Sequence, residues 1–281
     1  MKILRTKKAA SATSAAWRRD GQSVALVPTM GYLHDGHLSL VRIAKKRADR
    51  VVVSVFVNPT QFGPNEDFER YPRDEKRDFA LLRKAGVDAV FAPTPEEMYG
   101  REGATVSLSE SALSTVMCGA QRPGHFAGVM QVCLKLFNIV RPDVAVFGEK
   151  DAQQLAVLRR MARDLDVPVK LVGAPLVREG DGLALSSRNT YLSPEERKRA
   201  LALSSALATA ENDWREGRCD DARRAVASIR RRIAKAADSV DYVVAVDKDT
   251  LEPVERLRPG VLIALAARFG KTRLIDNHIL R

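Results

Sequence analysis

The chain has 281 residues, 45% of them hydrophobic and 29% charged. That is too apolar for a disordered chain and too charged for one embedded in a bilayer, and the length allows one large or two modest domains of roughly 100–200 residues each. Lys and Arg outnumber Asp and Glu by 46 to 35, a net charge of +11, which suits a nucleic-acid partner, a pocket for a polyanionic small molecule, or simply a basic surface.

In chain order, Ser23 to Val27 is an apolar run that ends at Pro28 and reads as a buried strand. From His37 to Asp49 the apolar residues Leu38, Val41, Ala44 and Ala48 fall at helical spacing. Val51 to Val57 is β-branched and continuous, as in a central strand of a parallel sheet. A helix is predicted over Asp74 to Ala85, a strand over Ala89 to Ala92, and an apolar helix over Gly128 to Val140. Val144 to Phe147 reads as a strand, Ala152 to Leu165 as a helix and Val169 to Val172 as another strand. Strands alternating with helices mean repeated βαβ units, hence an α/β chain with a Rossmann-like, doubly wound parallel sheet.

The pattern changes where Gly173, Pro175, Gly180 and Gly182 cluster, a composition that suits a hinge. Ser193-Pro194 opens a helix expected to run to about Trp214, with a second from Asp220 to Ala237. Strands are predicted at Tyr242 to Val246, Val261 to Ala266 and Thr272 to Ile279. The division expected is therefore residues 1–175 as the Rossmann-like domain and 176–281 as a smaller C-terminal α+β domain.

The basic excess is not confined to either part: 26 basic against 19 acidic side chains lie in 1–175, and 20 against 16 in 176–281. No basic tail marks a nucleic-acid stripe, so no nucleic-acid partner is expected. Cys118, Cys133 and Cys219 are odd in number and widely spaced, which argues against a disulfide framework and fits a reducing compartment. The opening MKILRTKKAA lacks the apolar core of a signal peptide, and Val51 to Val57 is too short to span a bilayer. A cytoplasmic protein with no membrane partner is the expectation.

Five segments could carry chemistry, and each follows a predicted strand or opens a predicted helix or loop. Pro28 to His37 (PTMGYLHDGH) joins the first strand to a helix. Its two glycines let the backbone approach a ligand, and the helix start directs free N–H groups at an anion. His34 and His37 can donate to charge that develops in a transition state. The alternatives are an incidental turn or a His-x-x-His metal pair; neither a P-loop nor a GxGxxG fingerprint is present. Asn58 to Gly63 (NPTQFG) follows the strongest strand and offers the neutral amides of Asn58 and Gln61. Arg122 to Phe126 (RPGHF) places His125 near a helix start. In Gly148 to Gln154 (GEKDAQQ), Lys150 is a point charge for phosphate, Asp151 could hold Mg²⁺ or a hydroxyl, and Gln154 shares its helix face. Leu185 to Asn189 (LSSRN) combines two hydroxyls with a guanidinium, a compact anion site.

Taken together and in this order, the segments PTMGYLHDGH, FVNPTQFGPNEDFERYPR, RPGHFAGV, RPDVAVFGEKDAQQL and LSSRNTYLSPEER resemble the pantothenate synthetases, the pantoate–β-alanine ligases of coenzyme A biosynthesis. The first matches that family's version of the HIGH signature of the nucleotidylyltransferase superfamily, and LSSRN takes the place of the KMSKS loop. The family often has methionine where this chain has Leu185, an apolar exchange. The resemblance implies ATP as a substrate, with Mg²⁺, and a carboxylate that attacks the α-phosphorus to give an acyl adenylate, which an amine then opens. Such a reaction needs no Ser or Cys nucleophile, because the substrate is the nucleophile.

By the same resemblance, Met30, Gly31, Tyr32, Leu33, His34, Asp35, Gly36 and His37 would bind ATP, together with Gly148, Glu149, Lys150, Asp151, Val177, Leu185, Ser186, Ser187 and Arg188. Of these, His34, His37, Lys150, Ser186, Ser187 and Arg188 would serve catalysis. Gln61, Gln154 and His125 would bind pantoate, with Gln61 also near β-alanine, and no protein-held metal is assigned. The smaller domain would close over ATP, and the family implies a homodimer. The competing readings are an RNA-linked adenylating enzyme, another nucleotidylyltransferase, and a non-catalytic nucleotide-binding module.

Overall fold

A computed structural model describes residues 1–64 and 66–281. These form two compact units: Met1–Glu149 with Val157–Pro175, and Lys150–Ala156 with Leu176–Arg281.

The first unit is built on β1 (Lys2–Leu4), α1 (Lys7–Arg19), β2 (Val24–Thr29), α2 (Asp35–Lys45), β3 (Arg50–Val55), α3 (Glu75–Lys84), β4 (Ala89–Phe91), α4 (Pro95–Tyr99), α5 (Met117–Gln121), α6 (His125–Val140), β5 (Val144–Gly148), α7 (Ala152–Asp164) and β6 (Lys170–Ala174), the first turn of α7 belonging to the second unit. All pairings among its strands are parallel, in the order β1-β4-β3-β2-β5-β6. The chain winds outward from β2 through β3 and β4, then returns to the other side of β2 with β5 and β6. β2 and β5 therefore flank the switch point where doubly wound sheets bind ligands. The Rossmann-like architecture expected from alternating strand and helix patterns is present. The edge strand β1 and helix α1 are additions to it: three residues make a weak strand signal, and the buried stripe of α1 is Ala10, Ser14 and Trp17, too small and polar to register as an apolar face.

Strand β2 also departs from expectation. It does not stop at Pro28 but continues to Thr29, with Pro28 opposite Ser54 of β3. The hydrogen bonds explain why proline is tolerated. Ser23 and Thr29 direct their carbonyls to β3, whereas Val24 faces the segment leading into β5. Pro28 is in phase with Val24, so its missing N–H points toward β5, and the β2–β5 ladder has already ended at Leu26–Ala145. A residue with no N–H thus sits where two neighbouring strands part.

The strands are apolar because the sheet is covered on both faces: Val24 to Val27 and Val51 to Val53 are almost wholly inaccessible. Helix α2 contributes Leu40, Val41 and Ala44, and α3 contributes Phe79 and Leu82, to one core cluster with Val27, Leu33, Val90 and Val146. Burying a side chain such as Leu82 contributes roughly 1.5–3 kcal/mol before entropy is subtracted.

The second unit holds α8 (Pro194–Ala200), α9 (Ala202–Arg215), α10 (Ala222–Ala234) and the strands β7 (Ser239–Asp247), β8 (Val261–Phe269) and β9 (Thr272–Ile279), which form an antiparallel sheet in that order. Ser193 caps α8 reciprocally with Glu196. The single helix expected from Pro194 to Trp214 is divided at Leu201. Leu203, Leu207, Ile229, Ile233, Ile263 and Leu265 form the centre of its core. Among the described residues, no helix is long and apolar enough to cross a membrane.

Candidate active site

The turn after β2 is held by a residue far along the chain. The carboxylate of Asp78, buried on α3, accepts the backbone N–H of Tyr32 at 2.7 Å and that of Leu33 at 2.7 Å. The approach requires glycine at 31: its φ is +83°, and a Cβ there would lie 3.0 Å from Asp78 Oδ2 and 3.0 Å from Val55 Cγ1. Tyr32 is itself left-handed, at φ +48°, so Asp78 holds a backbone conformation that the chain alone disfavours. Burial pushes the Asp78 carboxyl above the ordinary carboxylate range, although both N–H bonds favour its ionised form. The guanidinium of Arg77 lies 5.3 Å from the centre of the Tyr32 ring.

Beyond this anchor the chain enters α2 with His34 as its N-cap. The backbone N–H of His34 donates to Nδ1 of His37 at 3.3 Å, and the two rings lie 4.1 Å apart between centroids. A nitrogen that accepts an N–H carries no proton, so His37 holds its proton on Nε2. The positive end of the α2 dipole and the Nε2–H donor together favour an anion.

The loop after β3 is fixed just as tightly. Asn58 is buried; its Nδ2 donates to Gln61 Oε1 at 3.1 Å and to the Gly128 carbonyl at 3.2 Å, while its Oδ1 accepts from Tyr99 Oη at 2.7 Å. With Oε1 so occupied, the Gln61 Nε2 is turned toward Met30, 3.1 Å from its Sδ. The first and second sequence segments therefore meet at Met30 and Gln61. Gly128 makes this possible, since a Cβ on it would stand 2.3 Å from the Thr60 carbonyl oxygen.

His125 joins the same cluster through its two nitrogens. Arg122 Nη1 donates to Nε2 at 2.9 Å, so the ring proton is on Nδ1, which donates to the Gln61 carbonyl at 2.8 Å. Arg122 also grips Glu66 with two bonds of 2.6 and 2.5 Å. Burial opposes the Glu66 charge, yet the bonds and charge of Arg122 hold its carboxyl below the ordinary range. His125 is thus a brace beneath Gln61.

In the second unit, Lys150 is mostly buried, with Nζ 3.8 Å from Asp151 Oδ2, and its backbone carbonyl accepts from Asn277 Nδ2 at 2.8 Å. Gln154 is partly exposed on α7. Val177 and Leu185 are brought together by a backbone bond of 3.0 Å. Ser186 caps a short turn over Ser187–Tyr191 by accepting the Arg188 N–H at 3.3 Å. Among the described residues no group of three or more His, Cys, Asp or Glu side chains is gathered as a metal site.

Sequence reasoning did not find Asp78, Gly128 or Asn277. A signal existed for the first: Asp78 shares its helix face with Leu82, and an acid on an apolar stripe calls for a buried partner. Gly128 within an otherwise apolar helix was a weaker sign of close approach.

The family model described as pantoate-beta-alanine ligase matches residues 2–279. The chain belongs to the pantoate–β-alanine ligase family. It is 54% identical over 280 residues to the pantothenate synthetase of Thermotoga neapolitana, covering all of both chains. It is 53% identical to that of Heliobacterium modesticaldum, covering all of this chain and 99% of the relative. Among solved structures it resembles the pantothenate synthetase of Thermus thermophilus, with a TM-score of 0.92 at 48% identity over 99% of each chain. It also resembles the pantoate–β-alanine ligase of Francisella tularensis complexed with Beta-gamma ATP and β-alanine, with a TM-score of 0.82 at 32% identity over 99% of this chain and 97% of that one. Membership makes the chain an enzyme of ligase type, and the family's fold is the one described above. The five sequence segments that carried the resemblance all lie within the matched residues.

Proposed function

We propose that the chain condenses pantoate with β-alanine at the expense of ATP, through a pantoyl adenylate, releasing AMP and pyrophosphate. The observation that carries this reading is the contact between Met30 and Gln61: an anion-seeking turn and a neutral amide of the kind that binds a polar acid stand side by side. A carboxylate held by Gln61 and a phosphate held by the α2 start would be neighbours, as adenylation requires.

In the first step a pantoate carboxylate oxygen attacks the α-phosphorus, and the bond from that phosphorus to the bridging oxygen breaks. In the second, the β-alanine amine attacks the acyl carbon, loses a proton, and AMP departs with the former carboxylate oxygen. His37 donates from Nε2–H to the charge gathering on the leaving pyrophosphate, with His34 beside it. Lys150, Ser186, Ser187 and Arg188 bind phosphate oxygens. Met30, Gly31, Tyr32, Leu33, Asp35, Gly36, Gly148, Glu149, Asp151, Val177 and Leu185 complete the ATP contacts. Gln61 and Gln154 bind pantoate, Gln61 also meets β-alanine, and His125 supports the pantoate side by bracing the Gln61 carbonyl. Mg²⁺ would arrive on the triphosphate and keep most of its waters, with Asp151 as a candidate carboxylate; bound there it would offset phosphate charge. The reading includes a cytoplasmic homodimer indifferent to RNA.

Pantoate labelled with ¹⁸O in its carboxylate tests the intermediate. The adenylate route delivers one labelled oxygen to AMP, read by mass spectrometry. Label absent from AMP and present in inorganic phosphate contradicts it in favour of an acyl phosphate.

A further inference from the structure

The C-terminal strand β9 carries two adjacent polar residues, Asp276 and Asn277, that are both buried and lie opposite Leu265 and Ala264 of β8. Nothing in the reaction scheme uses them directly. By the strand's period of two they leave opposite faces of the sheet, and each grips a different segment of the second unit. The Asn277 amide donates to the Lys150 carbonyl at 2.8 Å, across 127 positions of sequence. The Asp276 carboxylate takes both terminal nitrogens of Arg178, at 2.7 and 3.0 Å. Arg178 in turn donates to the Gly182 carbonyl at 3.1 Å and pairs with Ala184 in an antiparallel bridge. That hairpin leads straight into Leu185 to Arg188. Asn189, just beyond, ties the same hairpin from the other end by donating to Glu179 Oε1 at 2.7 Å and to the Ala184 carbonyl at 3.0 Å. The Asp276 Oδ1 also accepts the backbone N–H of Asn277 at 2.7 Å, so the carboxylate that holds Arg178 also holds the backbone from which the Asn277 side chain extends.

We propose that Asp276 and Asn277 are positioning residues for ATP binding, with Asn277 setting Lys150 and Asp276 setting the loop Leu185–Arg188. The inference rests on the reading that Lys150 and Arg188 contact phosphate. A lysine carries its charge on a flexible four-carbon stem, so a backbone already held in place reduces the freedom it must lose when it binds phosphate. The Asn277 bond fixes the peptide plane at Lys150 from β9, a strand paired along its length with the buried β8. A bidentate carboxylate–guanidinium pair does the same for the hairpin, with geometry that a single bond lacks.

A double-mutant cycle on the full-length chain tests it, with the dissociation constant of ATP as the readout. Asn277→Leu keeps the side-chain volume and removes the donor. It is expected to weaken ATP binding about tenfold when Lys150 is present and by less than about twofold when Lys150 is already Ala, with a melting temperature close to the parent in each background. An equal loss in both backgrounds overturns the positioning role and marks Asn277 as a general stabiliser. Lys150→Ala alone leaving ATP binding unchanged overturns the reading of Lys150 as a phosphate contact, and the proposal with it. Should Asn277→Leu not fold, Asn277→Ser, too short to reach the carbonyl, carries the same cycle.

Discussion

Nδ1 of His37 accepts the backbone N–H of His34 at 3.3 Å. One short-range bond thereby decides which ring nitrogen can donate, because the proton must reside on Nε2. The consequence is specific to the reacting geometry. His37→Ala is expected to slow adenylate formation by about 10²–10³, the scale of losing one stabilising donor. Glutamine can place an amide N–H near the Nε2 position, whereas asparagine mimics Nδ1. His37→Gln is therefore expected to retain more activity than His37→Asn in a single-turnover assay. Equal rates for the two would remove the Nε2 donor from the account.

Asp78 makes a second prediction. Its carboxylate holds the N–H groups of Tyr32 and Leu33, and Asp78→Ala leaves both without that acceptor at a cost of about 1–3 kcal/mol. Denaturant midpoints measure the loss, and ATP affinity should fall with it because the turn is freed. Gly31→Ala should do the same, since the new Cβ meets Asp78 Oδ2 and Val55 Cγ1 at 3.0 Å with φ at +83°.

Gly128 separates the substrates. A methyl group there would press on the Thr60 carbonyl at 2.3 Å, and the turn Pro59–Gln61 must give way. Gly128→Ala is expected to raise the pantoate KM strongly with ATP affinity near normal, the same signature expected of Gln61→Ala. Matching defects for both substrates would point to general misfolding.

The Arg122–Glu66 pair sets a pH dependence. The folded carboxyl of Glu66 lies below its ordinary value of 4.5. Its contribution to stability is complete above that value and is lost as pH falls through the lowered one. Glu66→Gln should therefore be less stable than the parent near neutrality, with the gap closing in acid. Paired denaturation curves across that range read the difference.

Much of this was legible in the sequence, for identifiable reasons. The runs at Val24 and Val51 announced buried parallel strands, and the motifs after them fall, as expected, in the segments that follow those strands. The Pro28 boundary misled because a proline's effect depends on which neighbour its missing N–H faces, and β5 lies more than a hundred residues away. Asp78, Gly128 and Asn277 stayed hidden for the same reason. Each acts on backbone atoms distant in sequence, at Tyr32, Thr60 and Lys150, and no local spacing encodes such a partner. His125 was visible as a candidate, but its bonds to Arg122 and the Gln61 carbonyl were not.

Attack of pantoate's carboxylate on ATP in the first step is measured directly by isotope exchange between ATP and pyrophosphate. With β-alanine omitted, exchange is expected to require pantoate and to be unaffected by RNA. Exchange that proceeds at full rate without pantoate would contradict the account.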